Sequence, residues 1–294
     1  MVTKKKNIGL IGTGYWGKNL IRVFKELNSL KLICDLDKEK DCFGIDFTTD
    51  VSRVLKDEDI EAIVISTPSE THYDLTKKAL EADKDVFIEK PMVLKFEQGQ
   101  ELVDLAKNKN KILMVGHLLL FHPGVIKLKK LIDQGKLGEV QYISSNRLNF
   151  GKIRKQENVL WSFAPHDISV MIDILGMPTK ISATGKSYLS KNIEDIFNVD
   201  LEFVNNRAGH IFVSWINPFK EQKLTVIGSK KSAVFDGVKN ELLLNGQTII
   251  FDKNEPLMEE AKHFLECIKT RNTPRTDGNS ALNILKVINL CKKL

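Results

Sequence analysis

The chain has 294 residues, 42% of them hydrophobic, and a formal net charge of +6. That length can bury two cores, and no apolar run approaches the ~20 residues of a membrane span. Its lysines are spread along the chain, which suits anionic ligands but is no nucleic-acid footprint, so neither nucleic acid nor membrane is expected as a partner. Lys4-Lys5-Lys6 precede an apolar run that is short and broken by Gly9, which reads as a first strand and not a signal peptide. Residues 8–11 are that strand. Gly12, Gly14 and Gly17 follow in G-x-G-x-x-G spacing, and Leu20, Ile21, Phe24 and Leu27 then repeat at helical spacing. Gly12 suits a tight turn, Gly14 lets backbone approach a pyrophosphate, and Gly17 lets the helix sit close to the strand. The free N–H groups and dipole at the helix start favour an anion. A second strand over 31–35 ends on Asp35, about 20 residues after the turn, where a carboxylate meets the adenosine ribose. Asp35 and Asp37 together repel a 2′-phosphate, so NAD is the expected cofactor; an Asp that merely ends a strand is the plainer alternative.

Strand and helix keep alternating. Residues 60–66 form an apolar strand closed by Thr67-Pro68, and Ser69 is placed to cap a helix carrying His72, Leu75 and Ala79 on one face. Residues 85–89 form the next strand, stopped by Lys90-Pro91, with a helix over 95–107 and a strand over 112–116. This alternation predicts an α/β Rossmann domain, a doubly wound parallel sheet over 1–118 with ligands beyond the carboxyl ends of its strands. The expected cofactor contacts are Gly12, Gly14, Tyr15, Trp16, Gly17, Asp35, Ser66, Thr67, Pro68, His72, Glu89 and Lys90.

From residue 119 the rhythm changes. A helix runs from Pro123 to Gly135, a strand covers 139–149, a polar loop 152–160, and a helix 166–175 ends at Gly176 and Pro178. Strands follow over 181–187, 197–204, 209–216, 223–227 and 232–235. A last pair, 242–244 and 248–250, is joined by Asn245-Gly246, a hairpin signal. Helices over 259–270 and 279–294 close the chain. The expectation for 119–294 is an α+β domain with a large, mostly antiparallel open sheet, its C-terminal helix free to pack back on the first domain.

Lys90, at a strand's carboxyl end, is the sharpest chemical candidate: a partly desolvated lysine there can polarise a hydroxyl or move a proton. Taken alone it is equally an ordinary surface lysine. Glu89-Lys90-Pro91, together with the glycine turn and Thr67-Pro68-x-x-x-His72, resembles the glucose–fructose oxidoreductase and inositol dehydrogenase family, written Gfo/Idh/MocA. The likeness continues through 116–123, Lys136-Leu137-Gly138-Glu139, Pro165-His166-Asp167 and Val226-Ile227-Gly228-Ser229. It implies an NAD(P)-binding domain, a sugar-binding and oligomer-forming second domain, and catalytic positions at Lys90 and His166. An imidazole suits taking a hydroxyl proton near neutral pH; a packed core histidine is the alternative.

Two departures stand out. Ser162 occupies the place of a common aspartate four residues before the histidine, and Leu120 replaces a common arginine. Gly116-His117, Arg147-Leu148-Asn149 and Asn158-Val159-Leu160-Trp161 resemble instead a nucleotide-sugar branch that oxidises carbon 3 of UDP-linked N-acetylglucosamine or its uronic acid. The expected substrate contacts are His117, Arg147, Asn149, Arg154, Asn158, Trp161, Ser162, His166 and Asp167, with Lys152 in the same polar loop, which is equally readable as a solvated surface. The alternatives are a dehydrogenase of a free sugar or cyclitol and a non-catalytic NAD-binding sensor. Cys34, Cys42, Cys267 and Cys291 lack metal spacing and read as reduced thiols of a cytoplasmic protein; no metal is expected. His122 reads as a helix cap or surface residue, and the assembly as a homo-dimer or tetramer.

Overall fold

The computed structural model describes residues 6–40, 43–150, 157–189 and 191–292; Cys42, Lys152 and Arg154 lie outside the described residues. The chain divides into two compact units, Met1–His117 with Leu257–Leu282, and Leu118–Pro256 with Asn283–Leu294. Among the described residues no helix is long and apolar enough to cross a membrane.

The first unit runs β1 (Ile8–Ile11), α1 (Gly17–Glu26), β2 (Leu30–Cys34), β3 (Asp46–Thr48), α2 (Val51–Lys56), β4 (Ala62–Ile65), α3 (His72–Glu81), β5 (Asp85–Glu89), α4 (Phe96–Asn108) and β6 (Leu113–Gly116). Its six strands lie in the order β3-β2-β1-β4-β5-β6, every pair parallel. β1 and β4 are buried along their whole length, as strands covered on both faces must be, which is why they read as unbroken apolar runs. The strand order reverses between β1 and β4, and ligands of such sheets bind at that crevice. β3 and α2 were not anticipated: β3 is three residues long, and α2 is a six-residue helix capped by Asp50, whose side chain accepts from the Ser52 N–H at 2.8 Å. Ser69 does not cap α3. It opens a short 3₁₀ turn over 69–71, and α3 starts at His72.

The second unit holds α5 (Pro123–Asp133), β7 (Val140–Phe150), α6 (Val159–Leu175), β8 (Lys180–Lys186), β9 (Ile196–Phe203), β10 (Arg207–Ser214), β11 (Ile216–Gly228), β12 (Ser232–Asp236), β13 (Glu241–Leu244) and β14 (Gln247–Thr248). Eight strands form one sheet, β14-β13-β12-β11-β7-β10-β9-β8, antiparallel except for the parallel β7–β10 pair. α6 packs on β10, β7 and β9. Gly209 permits this approach, since a Cβ there would lie 2.8 Å from the Met171 sulfur. The expected helix start at His166 is corrected by seven residues. Asn158 is the N-cap, its side chain accepting from the Trp161 N–H at 3.2 Å, and Pro165 sits inside the helix. The strands expected to end at 216 and to begin at 223 belong partly to one long strand, β11, with a register shift between Ile216 and Glu221. The β13–β14 turn is as anticipated: Asn245 (φ 47°) and Gly246 (φ 80°) both take positive φ.

α7 (Pro256–Thr270) and α8 (Gly278–Lys292) end the chain. α7 belongs to the first unit. Its Phe264 ring lies edge-on to Phe87 at 5.6 Å and to Phe24 at 6.5 Å. Arg271, just past its end, grips Asp85 at the start of β5 through two hydrogen bonds of 2.6 and 3.1 Å and reaches the Asn110 carbonyl at 2.7 Å.

Candidate active site

The glycine turn fits a dinucleotide. Gly12 has φ +99°, and a Cβ there would stand 2.8 Å from the Ser66 and Thr67 backbone. A Cβ on Gly17 would overlap the Gly12 carbonyl oxygen, while one on Gly14 would meet nothing within 4 Å, leaving backbone open to approach. The start of α1 has no side-chain cap, and of its first N–H groups those of Lys18 and Asn19 bond the Gly14 and Trp16 carbonyl oxygens at 3.2 and 2.9 Å. Tyr15 stands exposed beside it. Ser66 ties the turn to β4 by donating to the Gly12 carbonyl at 2.7 Å.

Asp35 follows β2, as expected. Its Oδ2 accepts from the Thr13 N–H at 2.7 Å and the Thr13 hydroxyl at 2.8 Å, and its Oδ1 from Lys40 Nζ at 3.1 Å. Burial opposes ionisation, but the donors of Thr13, Asp37 and Lys40 outweigh it and hold the carboxyl down to about 2. Lys40 was missed by sequence reasoning, because only the 3₁₀ turn over 38–40 brings it back to Asp35.

At the carboxyl end of β5, Glu89 Oε1 accepts from the Trp16 indole N–H at 2.5 Å. The strand end is thereby tied to the residue before α1. Removal from water raises the Glu89 carboxyl to about 7 against the opposing influence of Trp16 and Lys90. Lys90 is half-buried and joined to Pro91 by a cis peptide. His117, directly after β6, is buried with neither ring nitrogen partnered among the described residues. Burial first, and then Lys90, pushes its imidazole down to about 3, so it is neutral.

His72 corrects an expectation. It is not an open cofactor contact but a buried clamp, with ring nitrogens 2.9 Å from the Thr67 carbonyl oxygen and 2.7 Å from that of Pro91. Carbonyls only accept, so a neutral ring donates to one of them at a time. Burial lowers its pKa although both carbonyls favour the charged form. His72 thus fixes the Thr67-Pro68 turn against the Lys90-Pro91 turn; Thr67 is half-buried and Pro68 exposed.

In the second unit, His166 lies half-buried in the third turn of α6, its carbonyl accepting from the Ser169 hydroxyl at 2.7 Å. The residues around it are more structural than expected. Asp167 is buried, and both carboxylate oxygens are engaged, by Arg147 at 2.8 and 3.1 Å and by the Ser145 hydroxyl at 2.6 Å. This two-pronged pair takes Arg147 away from the open diphosphate contact expected of it. Asn158 is likewise spent on capping α6 and on a 2.7 Å bond to Glu194. Trp161 and Ser162 are buried helix residues rather than open substrate contacts. Asn149 is half-buried near the end of β7. Arg154 and Lys152 lie outside the described residues. His122 caps α5, accepting from the Gly124 N–H at 3.1 Å. Among the described residues no cluster of His, Cys, Asp and Glu could hold a metal ion.

Two family models match the chain. One, described as an oxidoreductase family with an NAD-binding Rossmann fold, covers residues 6–117; the other, the GFO/IDH/MocA C-terminal domain, covers 125–234. A 2,7-anhydro-N-acetylneuraminate hydratase of Mediterraneibacter gnavus is 29% identical over 287 residues, spanning 88% of this chain and 72% of the relative. A scyllo-inositol 2-dehydrogenase (NAD(+)) of Bacillus subtilis is 27% identical over 94% of this chain and 90% of its own length. The solved structure of UDP-N-acetylglucosamine 3-dehydrogenase GnnA from Acidithiobacillus ferrooxidans superposes with TM-score 0.90 at 21% identity, covering 98% of this chain and 96% of that one, a likeness of fold.

Proposed function

The chain belongs to the Gfo/Idh/MocA oxidoreductase family, an enzyme family that uses NAD, and from that premise we propose that it oxidises carbon 3 of a UDP-linked N-acetylhexosamine, or of its uronic acid, to the 3-keto sugar. NAD, when bound, supplies the hydride acceptor. It would be held by Gly12, Gly14, Gly17 and Asp35, whose geometry fits it. Lys90 holds and polarises the sugar hydroxyl with its ammonium group, and the His166 imidazole takes the hydroxyl proton. The observation that carries this reading is the place of Lys90. It follows β5 in a sheet whose ligands sit beyond the carboxyl ends, next to a glutamate bonded to the glycine-turn segment.

For the substrate, support comes from the end of β7 and the sequence between it and α6. The first unit's nucleotide site is taken by NAD, so the uridine diphosphate falls to the second. In the sequence, Asn149 near the end of β7, and then Lys152 and Arg154, precede the helix bearing His166. A second reading, oxidation of a free sugar or cyclitol, is favoured by the scyllo-inositol dehydrogenase relative and by the commitment of Arg147 to Asp167. To separate them, the protein is incubated with NAD and, in turn, UDP-N-acetylglucosamine, its uronate, free N-acetylglucosamine and myo-inositol, following NADH and the keto product by mass spectrometry with a keto trap present. A UDP-sugar should turn over. Turnover of inositol or the free sugar, with none of either UDP-sugar, overturns the leading reading.

We further propose a cytoplasmic homo-dimer or tetramer formed through the second sheet. The free, buried Cys34, Cys267 and Cys291 suit a reducing compartment, and β7 and β11 leave Phe150, Phe219 and Ile227 exposed.

A further inference from the structure

Glu260 is an anomaly in the first unit. It lies on α7, 1% exposed, and neither carboxyl oxygen has a partner among the described residues. An ionised carboxylate so placed, without a donor, would lose its hydration with nothing to replace it. Its position follows from packing already described. Phe264, one helical turn further along α7, sits against Phe87 of β5, and Glu89 lies two residues beyond Phe87 on the same face of that strand. Arg271, past the far end of α7, bonds Asp85 at the start of β5, so α7 runs against β5 and brings Glu260 toward Glu89; the Glu89 charge acts on it to favour the protonated form, second to burial. Glu89 is met by the Trp16 indole from the start of α1 and by Lys90 beyond β5, and Lys90 acts on the neutral His117 beyond β6. Gly116, paired with Glu89 across β5 and β6, leaves the space for the Glu89 carboxyl: a Cβ there would stand 3.0 Å from both of its oxygens.

We propose that Glu260 is a positioning residue: it remains a neutral carboxylic acid in the folded protein, so that it and Glu89 together carry at most one negative charge, and that charge is kept on Glu89, against Trp16 and Lys90. Two ionised carboxylates facing one another, one of them buried, repel, and such a pair titrates as a unit. Were Glu260 to carry the charge instead, Glu89 would be driven to take up a proton, the charge-assisted acceptor for Trp16 would be lost, and Lys90 would face a neutral neighbour. Glu260 does this without touching substrate. Its functional weight rests on the reading of Lys90 given above, whereas the test does not.

The test uses the full chain without cofactor or substrate, as wild type and as Glu260→Gln, which keeps the shape of a neutral acid but cannot ionise. An acid whose folded pKa is raised holds its proton longer folded than unfolded. Its stabilising contribution is complete below the unfolded value and fades as pH rises toward the folded one. Urea unfolding from about pH 5 to about pH 8 should therefore show Glu260→Gln gaining on wild type, by up to about tenfold in the folding equilibrium constant per pH unit. Tryptophan fluorescence should show a step near neutrality in both proteins, from Glu89. A constant stability difference across the pH range overturns the proposal. So does a fall of the neutral step by about a unit or more in the variant, since only an ionised Glu260 would have been raising it. None of these readouts depends on which substrate is used or on whether Lys90 is catalytic.

Discussion

Lys90 and His166 offer different chemistry, an ammonium group and an imidazole, and each can be removed without touching the glycine turn proposed to hold NAD. Lys90→Met should leave NAD affinity within about threefold by fluorescence titration while lowering turnover by about 100-fold or more, the usual scale for a positioned acid–base group. His166→Asn should behave alike. Ser162 stands where the family resemblance implies an aspartate, but it is a buried residue of α6 with no charge to give, so Ser162→Ala should cost much less. If Ser162→Ala proves as damaging as the other two, the acid–base assignment fails. At this scale Asp35 also shows what spacing conceals. The sequence offers only its distance from the turn, whereas in the fold it is already bonded to Thr13 and Lys40.

At the scale of elements, β7 and α6 are joined by the Arg147–Asp167 pair, whose side chains are 12% and 3% exposed. Removing one member of a buried, doubly hydrogen-bonded pair strands the other charge, which costs about 3–5 kcal/mol. Asp167→Ala should therefore lower unfolding stability by about that amount in urea titrations. A loss below about 1 kcal/mol, accompanied by weakened nucleotide-sugar binding, would return Arg147 to the diphosphate. α6 itself shows why the second unit was harder to anticipate. Polar residues before Val159 blur the helix start, Pro165 suggests a boundary, and the cap at Asn158 is visible only once its side chain is seen on the Trp161 N–H. Strong local signals survived better: Asn245-Gly246 marks its turn by backbone preference alone.

For the whole molecule, the expected assembly places Phe219, 59% exposed on β11, in a contact between copies. Light scattering should give a mass of two or four chains, and Phe219→Glu should shift it toward one; a wild-type monomer would remove the oligomer proposal. What was legible at this scale was the class of each sheet, because periodic burial and the glycine spacing are local properties of the chain. What was not legible depends on residues far apart in sequence. Arg271 meets Asp85 across 186 positions, Glu260 approaches Glu89 only because α7 returns to β5, and His72 looks the same in sequence whether it faces a ligand or two carbonyls. The site is thus half visible: its loops announce themselves, and the groups that brace them do not.

The return of α7 to the first unit also has a consequence for biosynthesis. Phe24 and Phe87 leave the ribosome early, but Phe264, which packs on both, and Arg271, which fastens Asp85 of β5, come after the whole stretch 118–256. The nascent cofactor-binding unit therefore carries an uncovered aromatic face while the second sheet is still being made, and such surface attracts chaperones and invites aggregation. A gene fragment cut at residue 117 would keep the glycine turn and every residue of the six-stranded sheet, yet lack the lid of its core.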